Sequence, residues 1–287
     1  MFETLKSGWH LAKQVRKSIS GNKKLYIYPI ISGLVSVIIF ALTFLILIME
    51  ISLSGYTYYY YIAGIFVAYI LVYFSATLII IAMMISYRSL KTDNPVSLRK
   101  AFSSSEKYAG KALQWAILYS IFLMILRAIE SRIRGVGGLI IASIGSFAIT
   151  VATFFVVPVI LDYNIGPINA IKLSVNTIKS HFGNTFGGVM YIDLYTLIFT
   201  GGGFLLLIIS VILFSAGISF IVIVVPAVIA VIMIILGLIL NFTYLNIFKL
   251  ILFDYINGKG LPDGIDENLI NSSIRHRGES FMGSGPF

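Results

Sequence analysis

The sequence predicts an all-α fold: a polytopic transmembrane helical bundle, six spans arranged as three hairpins with amphipathic cytoplasmic linker helices. Three observations predict it. Of 287 residues, 58% are hydrophobic and only 11% charged, with mean hydropathy +0.95, against about 25% charged in soluble domains. No single soluble core could hide that much apolar surface, so the solvent must be lipid. Uncharged runs of membrane length recur, among them Leu25–Met49 (25 residues), Gly135–Leu161 (27) and Leu194–Phe248 (55). A short, partly polar, basic segment precedes each pair of runs, as in DYNIGPINAIKLSVNTIKSHFG at Asp162–Gly183.

In chain order, residues 1–24 are expected to form a cytoplasmic amphipathic helix, residues 25–256 the six-span domain and residues 257–287 a cytoplasmic tail. Phe2, Leu5, Trp9, Ala12, Val15 and Ile19 recur at steps of three and four, and Lys6, Lys13, Arg16 and Lys17 fall largely on other faces. This pattern suits a helix in the headgroup interface, or equally a helix packed on the protein's own spans. The opening stretch is too polar for a signal-peptide core. Leu25–Met49 is long enough for a hydrocarbon core of about 30 Å, with Tyr26 and Tyr28 placed for an aromatic belt. Span two is expected over Ile62–Ser86, closed by Arg88. In the second linker Asn94-Pro95 reads as an N-cap and N1 pair.

Span three is short: only the 15 residues Ala112–Leu126 are uncharged. It must borrow length from Lys111, which can snorkel, and from Arg127. Arg127, Glu130 and Arg134 stand three and four apart, so ion pairing is available to them; Arg127 and Glu130 could instead line an outer vestibule. Span four, Gly138–Leu161, carries a small-residue stripe at Gly138, Ala142, Ser146 and Thr150, which permits close helix approach. Spans five and six are expected at Phe186–Phe214 and Ile218–Phe248. Thr200-Gly201-Gly202-Gly203 should loosen or kink span five, and Pro226 should bend span six.

Lys and Arg set the orientation. With the N-terminus inside, 18 fall on inner segments and 3 in outer loops, which places both termini in the cytoplasm. Pro95, Lys100 and Lys107 recur 72 residues later as Pro167, Lys172 and Lys179. One linker-plus-hairpin unit used three times would explain this; that any charged helix before a hairpin looks similar would also explain it.

The ordered segments resemble an uncharacterised group of six-span prokaryotic membrane proteins, catalogued as a domain of unknown function. The resemblance rests on SGWHLAK and LYIYPIISG, YFSATLIIIA, LQWAI with ILRAIESR, FFVVPVILDYNIGPINAIKLSVNTIKSHFG, and GKGLPDGIDENLI, and covers nearly the whole chain. The chain departs from it at Ser75, where that group tends to carry an amide, and at Phe182-Gly183, where it tends to carry Trp-Gly. The resemblance implies six helices and a plasma-membrane location, and no activity.

Phosphate-binding, dinucleotide, zinc-protease and nucleophile-elbow motifs are absent from the sequence. There is no Cys, and His10, His181 and His276 lie far apart, so no cofactor and no metal are expected. Asp193 is the one acid between long apolar runs, and with Thr200 it is the candidate intramembrane polar site. The plainer reading pairs Asp193 with Lys172 or Lys179 of the third linker. Asp162 is expected to bond linker amides at a helix start. The basic linkers point to the lipid bilayer, and to anionic headgroups of the inner leaflet, as partner rather than to nucleic acid; a membrane-protein partner or a second copy of the chain stays open. The reading preferred is a non-enzymatic structural or partner-binding component of the plasma membrane. The alternative is a transporter or channel for a small molecule or lipid, and a third class, an intramembrane enzyme, lacks any nucleophile–base pair.

Overall fold

A computed structural model describes residues 2–54, 57–90, 95–132, 136–217 and 219–260. Expectations for Asn94, Arg134 and the tail beyond residue 260, His276 included, lie outside them. Every regular element among the described residues is a helix: α1 (Phe2–Ser20), a 3₁₀ turn (Lys23–Tyr26), α2 (Ile27–Ser54), α3 (Thr57–Leu90), α4 (Leu98–Ser105), a second 3₁₀ turn (Glu106–Tyr108), α5 (Ala109–Arg132), α6 (Val136–Ala152), α7 (Val156–Tyr163), α8 (Pro167–Ser215) and α9 (Phe220–Ile256). Six helical stretches are long and apolar enough to cross a membrane: Lys23–Met49, Tyr61–Leu90, Leu98–Arg132, Ser143–Tyr163, Thr185–Ser215 and Val222–Ile256. Span three obtains its length as the sequence required, because α5 runs through Lys111 at one end and Arg127 at the other. Large apolar side chains such as Leu34, Phe44, Ile198, Phe214 and Leu238 stay exposed along these helices. Soluble monomers rarely expose contiguous apolar surface on that scale.

The chain forms two compact units, Ile27–Ser180, and Met1–Tyr26 with His181–Phe287. In the first, α3 is central: it packs on α2, α4, α5 and α7, and α5 packs on α6. Its core holds Ile81, Ala82, Met83 and Met84 of α3, Ala112 and Ala116 of α5, Val159 and Ile160 of α7, and Phe155 just before α7. Tyr28 does not sit in an interfacial belt; it is fully buried, its ring 5.6 Å from that of Phe102. The cap of α4 is Ser97, whose Oγ accepts the Lys100 amide at 3.3 Å, so this helix starts later than Asn94-Pro95 suggested. Pro95 precedes it in non-helical backbone.

Span four is broken where continuity was expected. Pro158 carries no N–H to donate to the turn before it, and the chain leaves helical geometry over residues 153–155 between α6 and α7. The freed Phe155 amide donates to Ser174 Oγ at 3.0 Å in a buried setting, as irregular backbone at membrane depth requires. Asn164 then ends α7 in the left-handed conformation, φ 50°.

In the second unit α1 packs on α9 and on the 3₁₀ turn. Ala12, Val15 and Ile19, the C-terminal half of the apolar stripe of the N-terminal helix, are completely buried and Trp9 is half-buried, so this half packs on the protein's own helices; the side chains of Phe2 and Leu5 lie outside those described. The Thr200–Gly203 run does not interrupt span five. Residues 200–203 are helical, and the third linker and span five are parts of one 49-residue helix, α8. The glycines serve contact instead. A Cβ on Gly203 would stand 2.7 Å from the Ala230 carbonyl oxygen, and one on Gly237 would meet the backbone N of Thr200 at 2.9 Å. Close backbone approach through small residues is a principal means of packing helices in lipid. α9 likewise continues through Pro226.

Candidate functional site

The second unit contains a polar and aromatic network built on α8 and α9. Asp193 lies about two turns into the apolar part of α8, which begins at Thr185, and the Asn241 side-chain amide donates to its Oδ1 at 2.9 Å. The same nitrogen is 3.0 Å from Thr196 Oγ1, which in turn donates back to the Ile192 and Asp193 carbonyls at 3.0 and 3.2 Å. Lys249, two turns further along α9, adds an attractive Coulombic interaction with the Asp193 carboxylate. The acid is therefore held by α9; the partner read from the sequence was a linker lysine. Thr200 sits one turn beyond, donates to the Thr196 carbonyl at 3.2 Å, and fills the notch left by Gly237. It is a packing residue.

Aromatic rings extend the network. The Arg16 guanidinium of α1 stands 4.2 Å from the centroid of Tyr195 and 5.8 Å from that of Tyr191, within cation–π range. Trp9 meets Tyr191 edge-on at 4.9 Å. The hydroxyls of Tyr26 and Tyr244 are 3.0 Å apart. Asn241, Tyr244 and Tyr195 are uncharged, so charge inside apolar runs does not point to them, and Arg16 lies in the basic N-terminal helix outside those runs. The detectable signal for Asn241 was an amide within an otherwise apolar stretch of span six.

The first unit holds two further polar features. Asp162 Oδ1 and Arg88 Nη1 form an ion pair at 2.6 Å, with the acid 6% and the arginine 28% exposed. The arginine at the end of span two is thus a partner of Asp162 that the expectation of linker amides did not include. Lys172 and Lys179 are exposed on α8.

The second feature is an open cavity of about 650 Å³ between α3, α5 and α6. Tyr69 and Tyr73 form one wall, Arg127 and Glu130 another, and Ser143, Ser146 and Thr150 a third. Arg127 and Glu130 do not close the expected salt bridge; among the described residues Arg127 instead lies over the Tyr69 ring, 5.9 Å from its centroid. The small-residue stripe of span four opens onto this cavity at Ser146 and Thr150, and the close approach of α6 to α5 falls at Gly145, where a Cβ would meet Leu126 Cδ2 at 2.7 Å.

Six membrane-length helices whose exposed faces are apolar, with Asp193 and Asp162 met by partners on neighbouring helices, define a multi-pass helical membrane protein. Residues 53–260 match the model of a family of unknown function, DUF6159, and the chain belongs to that family. No curated protein and no solved structure matches it.

Proposed function

We propose that this chain is a non-enzymatic structural or partner-binding component of the plasma membrane, crossing it six times with both termini in the cytoplasm. The observation that carries the reading is the mutual engagement of its polar side chains: Asp193 with Asn241, Asn241 with Thr196, and Asp162 with Arg88. Ionisable groups on a translocation path face water and exchange partners during transport; these are committed to joining helices. The continuous α8 supports the same reading, because the glycine break that would have suited a transport site is a packing contact. The excess of Lys and Arg on one side, 18 against 3, supports the orientation and makes anionic headgroups of the inner leaflet the natural lipid partner. The exposed apolar faces of the long helices leave room for a membrane-protein partner or a second copy of the chain.

A transporter or channel for a small molecule or lipid is the second reading. The broken span four and the open cavity beside it favour it, since interrupted helices mark binding sites in many transporters. A flux assay in proteoliposomes separates the two. Wild type and Asp193→Asn should both show background flux across a panel of lipids and small solutes. A flux present in wild type and lost in Asp193→Asn would overturn the preferred reading.

A further inference from the structure

We propose that the cavity between α3, α5 and α6 binds a phosphate–ammonium zwitterion, the head of an ethanolamine phospholipid. This goes beyond the structural reading above and rests on the cavity walls alone. At about 650 Å³ the space falls within the range of about 300–1,000 Å³ typical of ligand sites. Its walls carry one cation and one anion. Arg127 and Glu130 are three residues apart on α5, a spacing at which such pairs commonly close, yet among the described residues they form no ion pair. Both line the open space.

Two opposite charges held apart on one wall complement a ligand whose own charges are separated by a few bonds. The guanidinium offers forked donors to a phosphate. The Glu130 carboxylate can accept from an ammonium, and the Tyr69 and Tyr73 rings can present their faces to it. Ser143 and Ser146 add hydroxyls opposite. An anionic head would satisfy Arg127 and leave Glu130 repelled, so the wall discriminates against it. The same two helices, α5 and α6, also expose Ile125, Ile129, Ile140 and Ile144, apolar surface of the kind that acyl chains cover. The same head chemistry exists as a soluble molecule, glycerophosphoethanolamine.

Native mass spectrometry of the delipidated full chain tests this, with phosphatidylethanolamine and phosphatidylglycerol of equal acyl length, and with glycerophosphoethanolamine as soluble competitor. The expected result is at least a tenfold preference for the ethanolamine lipid. Arg127→Gln and Glu130→Gln should each lose it, and Arg132→Gln, a cation of the same helix outside the cavity, should keep it. Ser146→Phe, which fills the space and leaves both charges in place, should also lose binding, so a charge variant that fails to fold does not leave the matter undecided. Displacement of the lipid by equimolar glycerophosphoethanolamine would assign the soluble source, and resistance to it the lipid; both uphold the zwitterion site. Equal or better binding of phosphatidylglycerol, or a preference untouched by Arg127→Gln, Glu130→Gln and Ser146→Phe, would overturn the proposal.

Discussion

Asp193 carries its charge on a membrane-length helix, and the Asn241 amide is the group that directly satisfies it. The two substitutions at this contact should therefore differ. Asp193→Asn keeps an acceptor oxygen facing the amide, and interhelical hydrogen bonds in membranes average about 0.6 kcal/mol; the loss should be of that order. Asn241→Leu strips the carboxylate of its donor and should cost about 1–3 kcal/mol. Thermal unfolding of the detergent-solubilised protein checks the order, and a milder Asn241→Leu would mean that Lys249, and not the amide, compensates the charge. The Arg88–Asp162 pair is more deeply placed. Removing Arg88 leaves the Asp162 carboxylate, 6% exposed, with nearly no access to water, at about 3–5 kcal/mol; removing Asp162 leaves Arg88, 28% exposed, and should cost less. Replacing both, as Arg88→Met with Asp162→Leu, should recover most of that, because the desolvation of two charges is avoided. A double-mutant cycle measures the coupling; additive losses would show the pair to be incidental.

At the level of elements, the run Gly201-Gly202-Gly203 separates two roles that the same sequence could serve. If it were a hinge, an alanine at any of the three would stiffen it alike. In the structure the positions differ. A Cβ on Gly203 meets the Ala230 carbonyl and the Ile234 amide, both backbone, while a Cβ on Gly201 meets only the Leu197 side chain, at 3.3 Å. Gly203→Ala should therefore push α8 and α9 apart and cost about 1–3 kcal/mol. Gly201→Ala should be neutral or stabilising by up to about 1 kcal/mol, the usual gain of alanine over glycine within a helix. Melting temperatures of the two variants decide it, and equal effects would restore the hinge. The real interruption lies in span four, where Pro158 removes a donor and Ser174 supplies an acceptor for Phe155.

For the whole molecule the prediction is topological. The excess of basic residues on one side predicts that residues 51–57 lie outside, and the chain has no native thiol to confuse a label. Ser54→Cys in intact cells should react with a membrane-impermeant maleimide from the outside. Labelling only after the inner face is opened would invert the orientation.

Hydropathy was sufficient for the helical class and the six membrane-length stretches, because lipid imposes one solution on every long apolar segment: a helix with its backbone bonded internally. Span three shows the rule at its limit, since 15 uncharged residues already implied that Lys111 and Arg127 would be drawn into the helix. Asp193 was legible as a candidate for the same reason, a charge where lipid disfavours one. What no reading of the chain could assign was which side chain answers which. Asn241 lies 48 residues from Asp193, and Arg88 lies 74 from Asp162; such pairs are made by packing, and nothing local in the sequence encodes them. The glycine run is ambiguous for the same reason, because glycine permits both a bend and a close contact, and only the helix that arrives beside it decides between them.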